Sequence, residues 1–382
     1  MVFPRFILLL SMALVFTLPY CVQLSGSTVS AQKKSRPRAS ATPKPNPVTR
    51  SSALQALGDP PPIPTLRRKV EQEVTPGDVI SVITTEVMLP VTVRDGNGTL
   101  VSQLTRNDFR VFEDDRPQPL SDLALRQVPV DVVLMVDASS SVASNLDEFR
   151  RAAEGFAGRL AADDRISLIK FDDRVELLQD WTKSRFQLRR ALARVEPGMF
   201  TRFNDALLLA ARDQFSKASK LRRAVIVLTD GIDSGRGTSD LETAFQALMH
   251  AQVTVYVVSN TEISRATKRA ELDSLMNGSN SIARFNQLRI DDLREGLRVL
   301  DVSEQNLAQL TSATGGRLYK PTSFNALDST YAEVADELRH QYGLYYTPLN
   351  KARDGGFRRI RVETVNPAYR SQTRVGYYAP KS

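Results

Sequence analysis

Four short apolar segments set the strongest constraint on this chain: DVVLMVD (131–137), RISLIKFD (165–172), RRAVIVLTD (222–230) and VTVYVVS (253–259). Between and after them, apolar residues recur at helical spacing near 145–160, 184–195, 203–218, 239–250 and 323–341. Parallel strands can be joined only by a crossover, so strands alternating with helices imply a mostly parallel sheet with helices on both faces. Runs such as AVIVL show no in-and-out alternation, as expected of strands buried on both sides. The pattern predicts a Rossmann-like, doubly wound α/β domain over about 128–340.

The flanks follow a different grammar. Over 76–127, VISVITTEVMLPVTVRD is rich in β-branched residues, DGNG (Asp95–Gly98) is a hairpin-type turn, and DFRVFEDDRPQPLSDLAL offers two short strands around an acidic turn. Over 341–382, YGLYYTP, FRRIRVETV and SQTRVGYYAP read as strands, with Ile360, Val362 and Thr364 alternating with Arg359, Arg361 and Glu363. Neither flank has enough strands for independent stability. The two are therefore expected to pair into one β-rich, sandwich-like module with the α/β domain inserted; two separate β appendages are the alternative.

Export is the expectation for the N-terminus. Arg5 precedes the apolar run FILLLSMALVFTLPY, and VSA (Val29–Ala31) supplies small residues for cleavage after Ala31, so 1–31 reads as a signal peptide. The run is short for a spanning helix, which needs about 20 apolar residues; an uncleaved anchor is the alternative. Cys21 is the sole cysteine, and cleavage after Ala31 would leave none, which suits an exported bacterial protein large enough to fold without disulfides. Residues 32–75 read as a basic, Pro-rich disordered linker, with eight prolines over 32–66. Residues 32–69 carry nine Lys or Arg against one Asp, so the formal charge of +8 belongs to this segment and the remainder is nearly neutral. That distribution argues against nucleic-acid binding by the globular part and leaves the tail as a solvated spacer, or a weak contact with an anionic surface.

In open parallel sheets, ligands bind at the carboxyl ends of the strands. Two strands here deliver acids to that edge, Asp137 and Asp230. Ser139 and Ser141 follow Asp137 before a helix, and Thr201, in GMFTRFNDAL, precedes another. Three hydroxyls and two carboxylates form an all-oxygen donor set, suited to Mg²⁺ or Mn²⁺ rather than zinc or copper. Where neutral hydroxyls and water bind the ion directly, it keeps much of its charge and attracts an outside carboxylate, so the expected partner is a protein offering an Asp or Glu.

This constellation resembles the metal-ion-dependent adhesion site (MIDAS) of von Willebrand factor type A (VWA) domains. The family pattern, Asp-x-Ser-x-Ser with a distant Thr and then an Asp, falls on Asp137, Ser139, Ser141, Thr201 and Asp230. The whole chain, with VTVRDGNGTLVSQLTRNDFRVFEDD before the domain and GGFRRIRV and VGYYAP after it, is similar to bacterial exported VWA-related proteins. The resemblance implies an adhesion-type module. Two features depart from the pattern: Ser140 and Phe200 stand where glycines are usual. Phe200 and Arg202 are expected to bring bulk and positive charge to the metal face. Segment 261–300 is longer than a minimal domain needs and reads as helical insertion, with RATKRAELDSLM and RIDDLREGLRVL as its helices.

Plainer accounts exist for several of these residues. DASSS alone reads as a strand-end turn whose serine caps the next helix. Asp205 suits the first turn of a helix, and Asp233 a solvated loop. His250 and His340 fall at helix ends, where a cation is comfortable. Trp181 suits core or strand-edge packing. TGGRLY (314–319) ends a helix, with Gly315 or Gly316 left-handed, and lacks the Lys and helix start of a phosphate loop. No Gly-x-Ser-x-Gly elbow or His-paired nucleophile supports hydrolysis. A structural envelope scaffold with a vestigial site is the remaining alternative.

Overall fold

A computed structural model describes residues 86–381 apart from 126–127, 141, 217–220 and 278–282. These fall within the unit Ile80–Ser382. The expected signal peptide, linker and first residues of the N-terminal flank lie outside the described residues, as does Ser141.

In chain order the elements are β1 (Val87–Arg94), β2 (Phe109–Glu113), β3 (Arg116–Gln118), β4 (Leu120–Leu125), β5 (Val130–Asp137), α1 (Leu146–Arg159), β6 (Arg165–Phe171), β7 (Val175–Thr182) and α2 (Arg185–Leu192). There follow α3 (Phe203–Leu209), β8 (Arg222–Thr229), α4 (Leu241–His250), β9 (Thr254–Ser259), α5 (Thr261–Asn277), α6 (Ala283–Thr314) and β10 (Leu318–Tyr319). The chain closes with α7 (Leu327–Arg339), β11 (Tyr342–Tyr346), β12 (Phe357–Thr364), β13 (Arg370–Gln372) and β14 (Gly376–Tyr378).

The central sheet has the order β10-β9-β8-β5-β6-β7, parallel except for β7, which returns antiparallel to β6. Every residue of β5 is buried. Val132, Leu134 and Val136 pack toward Phe149 and Phe156 of α1, Leu188 of α2 and Tyr331 of α7. Val133 and Met135 pack on the other face toward Phe203 of α3, Leu248 of α4 and Leu307 of α6. The chain leaves β5 for β6 on one side and reaches β8 on the other, so strand order reverses at the β5–β8 pair, where such sheets open a crevice.

The flanks form two further four-stranded antiparallel sheets, β13-β1-β11-β4 and β14-β12-β2-β3, each mixing strands from both ends of the chain. Val87, Leu89, Val91, Val111, Leu344, Tyr346 and Val362 fill the space between them. The expected joint module is what forms, and it holds the α/β domain by its entry and exit strands: β4 and β11 pair directly, Leu125 opposite Tyr342. The acidic turn of the N-terminal flank is Asp114–Asp115, both at positive φ, and three strands rather than two surround it.

Two helices depart from their sequence limits. The α-helical part of the 203–218 pattern stops at Leu209 and passes into a π turn over Ala210–Gln214. The insertion helices run longer than expected, and α6 reaches Thr314 because Leu300, Leu307 and Leu310 keep one face buried. Gly315 stops it at φ 82.

Candidate metal centre

Asp137 ends β5 at the reversal point and is 1% exposed. Its Oδ1 accepts the Ser139 amide at 2.9 Å, and its Oδ2 accepts the Thr229 hydroxyl at 2.6 Å. The first bond turns the chain sharply after the strand; the second ties β5 to the end of β8. Ser139 is also buried, and its carbonyl accepts the Val142 amide at 3.1 Å. The N-cap positions of the Ala143–Asn145 turn and of α1 are Val142 and Asn145, and neither supplies a side-chain cap.

Three loops meet here and are laced together by hydrogen bonds. Gly198 N–H donates to the Ala138 carbonyl at 2.7 Å, and the Ser140 hydroxyl donates to the Met199 carbonyl at 3.2 Å. A Cβ on Gly198 would lie 2.6 Å from Asp172 Oδ2, so only glycine fits that approach. The Met199 and Phe200 amides donate to the Asp173 carboxylate at 3.0 and 3.3 Å. The Thr201 carbonyl accepts the Ser234 amide and hydroxyl at 2.9 and 2.8 Å, joining the second loop to the third. Within that third loop, Asp230 Oδ1 accepts the Ile232 amide at 3.1 Å, and the Gly231 amide donates to Thr229 Oγ1 at 2.9 Å. Asp137, Ser139, Thr201 and Asp230 thus stand on three loops that brace one another, each less than a tenth exposed.

The electrostatics favour a cation. Burial, and then the charge of Asp230, push the Asp137 carboxyl up to about 7, against the pull of hydrogen bonds from Thr229 and Ser139. A divalent ion between the two acids would relieve that repulsion. Among the described residues no group of three His, Cys, Asp or Glu side chains is placed to hold a metal. An ion here depends on hydroxyl and water ligands beside two carboxylates, and the buried Ser139 and Thr201 side chains are of the right chemistry.

Several expectations about the surroundings change. Arg202 does not bring an open charge to the edge: it pairs with Asp205 at 2.6 Å. Asp205 does occupy the first turn of α3, yet it also accepts the Thr238 and Ser239 amides. Burial raises its pKa, but these bonds and Arg202 outweigh that and hold it below the usual carboxylate range. Asp233 is a brace rather than a solvated acid, accepting the Asn204 amide at 2.9 Å and the Gly235 amide at 2.8 Å. Phe200 lies under the Arg236 guanidinium, 3.9 Å from its ring centre. His250 ends α4 and stacks on Tyr378, and His340 caps α7 with Nδ1 on the Asp336 carbonyl. Both helices end at the amino edge of the sheet, opposite this site. Trp181 packs against Phe215 beside edge strand β7.

Sequence reasoning passed over Thr229, Asp173 and Ser303, whose hydroxyl donates to the Asp230 carbonyl. Thr229 and Asp173 are neighbours of conspicuous strand-end acids, in LTD and FDD. Ser303 has no local signal, since its role arises from a contact across 73 positions.

The family model described as von Willebrand factor type A domain matches residues 131–298. No curated protein matches the chain. Among solved structures, the vWF domain of the type V pili tip protein Mfa5 from Porphyromonas gingivalis is 26% identical, with a TM-score of 0.26, over 28% of this chain and 39% of that one. A von Willebrand factor type A protein from Catenulispora acidiphila aligns at 11% identity and a TM-score of 0.42, over 73% of this chain and 76% of that one. Proximal thread matrix protein 1 from the mussel byssus, with a zinc-occupied MIDAS motif, aligns at 16% identity and a TM-score of 0.42, over 59% of this chain and 50% of that one. The chain spans less than two thirds of the pilus and byssus structures. The parallel sheet reversing between β5 and β8, with helices on both faces, is the fold the family model describes: the chain carries a von Willebrand factor type A domain, set within a β-rich module built from its two flanks.

Proposed function

We propose that this protein is an exported, non-catalytic binding module that captures an acidic residue of a protein partner through a Mg²⁺ or Mn²⁺ ion. Asp137, Ser139, Ser141, Thr201 and Asp230 would hold the ion, directly or through water, and leave one position for the partner's Asp or Glu. The observation that carries this reading is the lacing of the three loops, with buried hydroxyls beside two mutually repelling carboxylates. VWA domains serve generally as protein-interaction modules, and the apolar N-terminal run with its VSA site supports export. Among the described residues no helix is long and apolar enough to cross a membrane. Against catalysis stands the placement of both histidines at the opposite edge of the sheet from the serines.

The test is a calorimetric titration of the full chain with Mg²⁺ and Mn²⁺, repeated for Asp137→Ala and Thr201→Ala. Binding by the wild type and its loss in both variants is the expected outcome. Unchanged titration in the variants would reject the assignment, and silence in the wild type would favour a scaffold with a vestigial site.

A further inference from the structure

Helix α6 touches the candidate site at one end of a buried stripe and the β module at the other. Ser303, 5% exposed, donates its hydroxyl to the Asp230 carbonyl. One turn further, Leu307 fills the space above Gly231, which sits at φ 71 and whose Cβ would lie 2.6 Å from Leu307 Cδ1. The path of the chain beside Asp230 is therefore dictated by α6, through one hydrogen bond and one close packing contact. The stripe continues through the buried Leu310, Thr311 and Thr314.

The other end is equally specific. The Val375 amide, next to β14, donates to the Ala313 carbonyl at 2.9 Å, and the Gln372 side-chain amide of β13 donates to the Gly316 carbonyl. A Cβ on Gly315 would lie 2.5 Å from the Arg374 amide nitrogen, and one on Gly316 would lie 2.0 Å from the Val255 carbonyl oxygen. Neither glycine leaves slack between helix, sheet and module. From Ser303 to Ala313 the helix covers about 15 Å at about 1.5 Å per residue.

We propose that the Ser303–Thr314 part of α6, with the Gly315–Gly316 turn that follows it, is a positioning strut that couples the Asp230 loop to the β13–β14 segment, so that presentation of Asp230 depends on how the β module is seated. Ser303 is then a positioning residue, acting on Asp230 through its main chain. The role of the strut toward metal rests on the function proposed above; its role in ordering the loop does not.

The experiment therefore has two arms, on the full chain. Hydrogen exchange in chelator follows the Gly231 and Ile232 amides, which donate to Thr229 Oγ1 and Asp230 Oδ1. Ser303→Ala at one end, and Val375→Pro or the milder Gln372→Ala at the other, should each speed that exchange several-fold. Leu288→Ala, on the exposed face of the first half of α6, should not. In the second arm the Mn²⁺ dissociation constant should rise about tenfold in Ser303→Ala, as for residues that orient a ligand from behind, and several-fold in Gln372→Ala. Exchange altered only around 372–376 in the module variants would overturn the strut. A wild type that binds no Mn²⁺ would remove the metal reading while the exchange arm still decides the coupling.

Discussion

Two buried carboxylates in this chain are answered in opposite ways. Glu337 of α7, fully buried, receives Arg94 of β1 at 2.5 Å, the Tyr319 hydroxyl of β10 at 2.7 Å and the Thr92 hydroxyl at 3.4 Å. It is a closed internal ion pair, and it fastens the β module to the α/β domain. Asp137 is equally buried, but it is met by a hydroxyl, an amide and the repulsion of Asp230, with no Lys or Arg paired to it among the described residues. Glu337 is supplied with a cation by the protein itself, whereas Asp137 has neutral donors and a second acid, and the metal reading proposed above rests on that difference.

The largest way to break this contrast is to remove the acid from the closed site. Glu337→Leu strands Arg94 and the Tyr319 hydroxyl, and removing one partner of a buried pair costs about 3–5 kcal/mol. Arg94 is 21% exposed and recovers some hydration, which favours the lower end of that range. Urea unfolding measures it, and a loss near zero would mean that Glu337 does not fasten the two parts together.

Asp137→Asn should behave in the opposite sense. In chelator it removes a buried charge facing Asp230, so stability should hold or rise relative to wild type. With Mg²⁺ at about a hundred times its dissociation constant, linkage stabilises the wild type by about 2.7 kcal/mol, or on the order of 5 °C in Tm, and the variant gains little. A destabilisation in chelator as large as that of Glu337→Leu would end the contrast between the two sites.

How much of this was legible in the sequence follows from how far apart the interacting residues lie. The α/β domain and its site edge were readable because strand period, burial and strand-end acids are local signals, and the ordered set from Asp137 to Asp230 matches a family pattern. The joint β module was inferred from the shortage of strands in each flank, yet the pairing of Leu89 with Leu344, across most of the chain, has no local trace. The same holds for Ser303 on Asp230 and Arg94 on Glu337, which are products of packing. Asp233 and Arg202 were misjudged for different reasons. For Asp233 the Asn204 amide, 29 positions away, is brought up by folding; for Arg202 the partner is local, Asp205 three residues on, and the pairing was there to be read.

The smallest expected effect lies at the seam between the same two regions. His250 stacks on Tyr378 with ring centres 3.8 Å apart. Burial, and then Lys381, hold its pKa below the ordinary histidine value. The folded state therefore favours the neutral ring. Above about pH 6.5 the ring is neutral in both states and adds no pH dependence. As pH falls through that value the unfolded chain takes up the proton first, so stability is lost until the folded pKa is passed. His250→Phe keeps an aromatic stack and removes the titration. Because Asp137 also titrates near neutrality, the quantity to read is the difference in Tm between wild type and His250→Phe from pH 8 to pH 5. The ring is largely exposed, and the difference should grow by no more than about 1 °C, in favour of the variant at low pH. A difference that is flat across the range would show that the stack at this edge of the seam does not discriminate between the two protonation states, leaving Glu337 and the end of α6 to carry the junction.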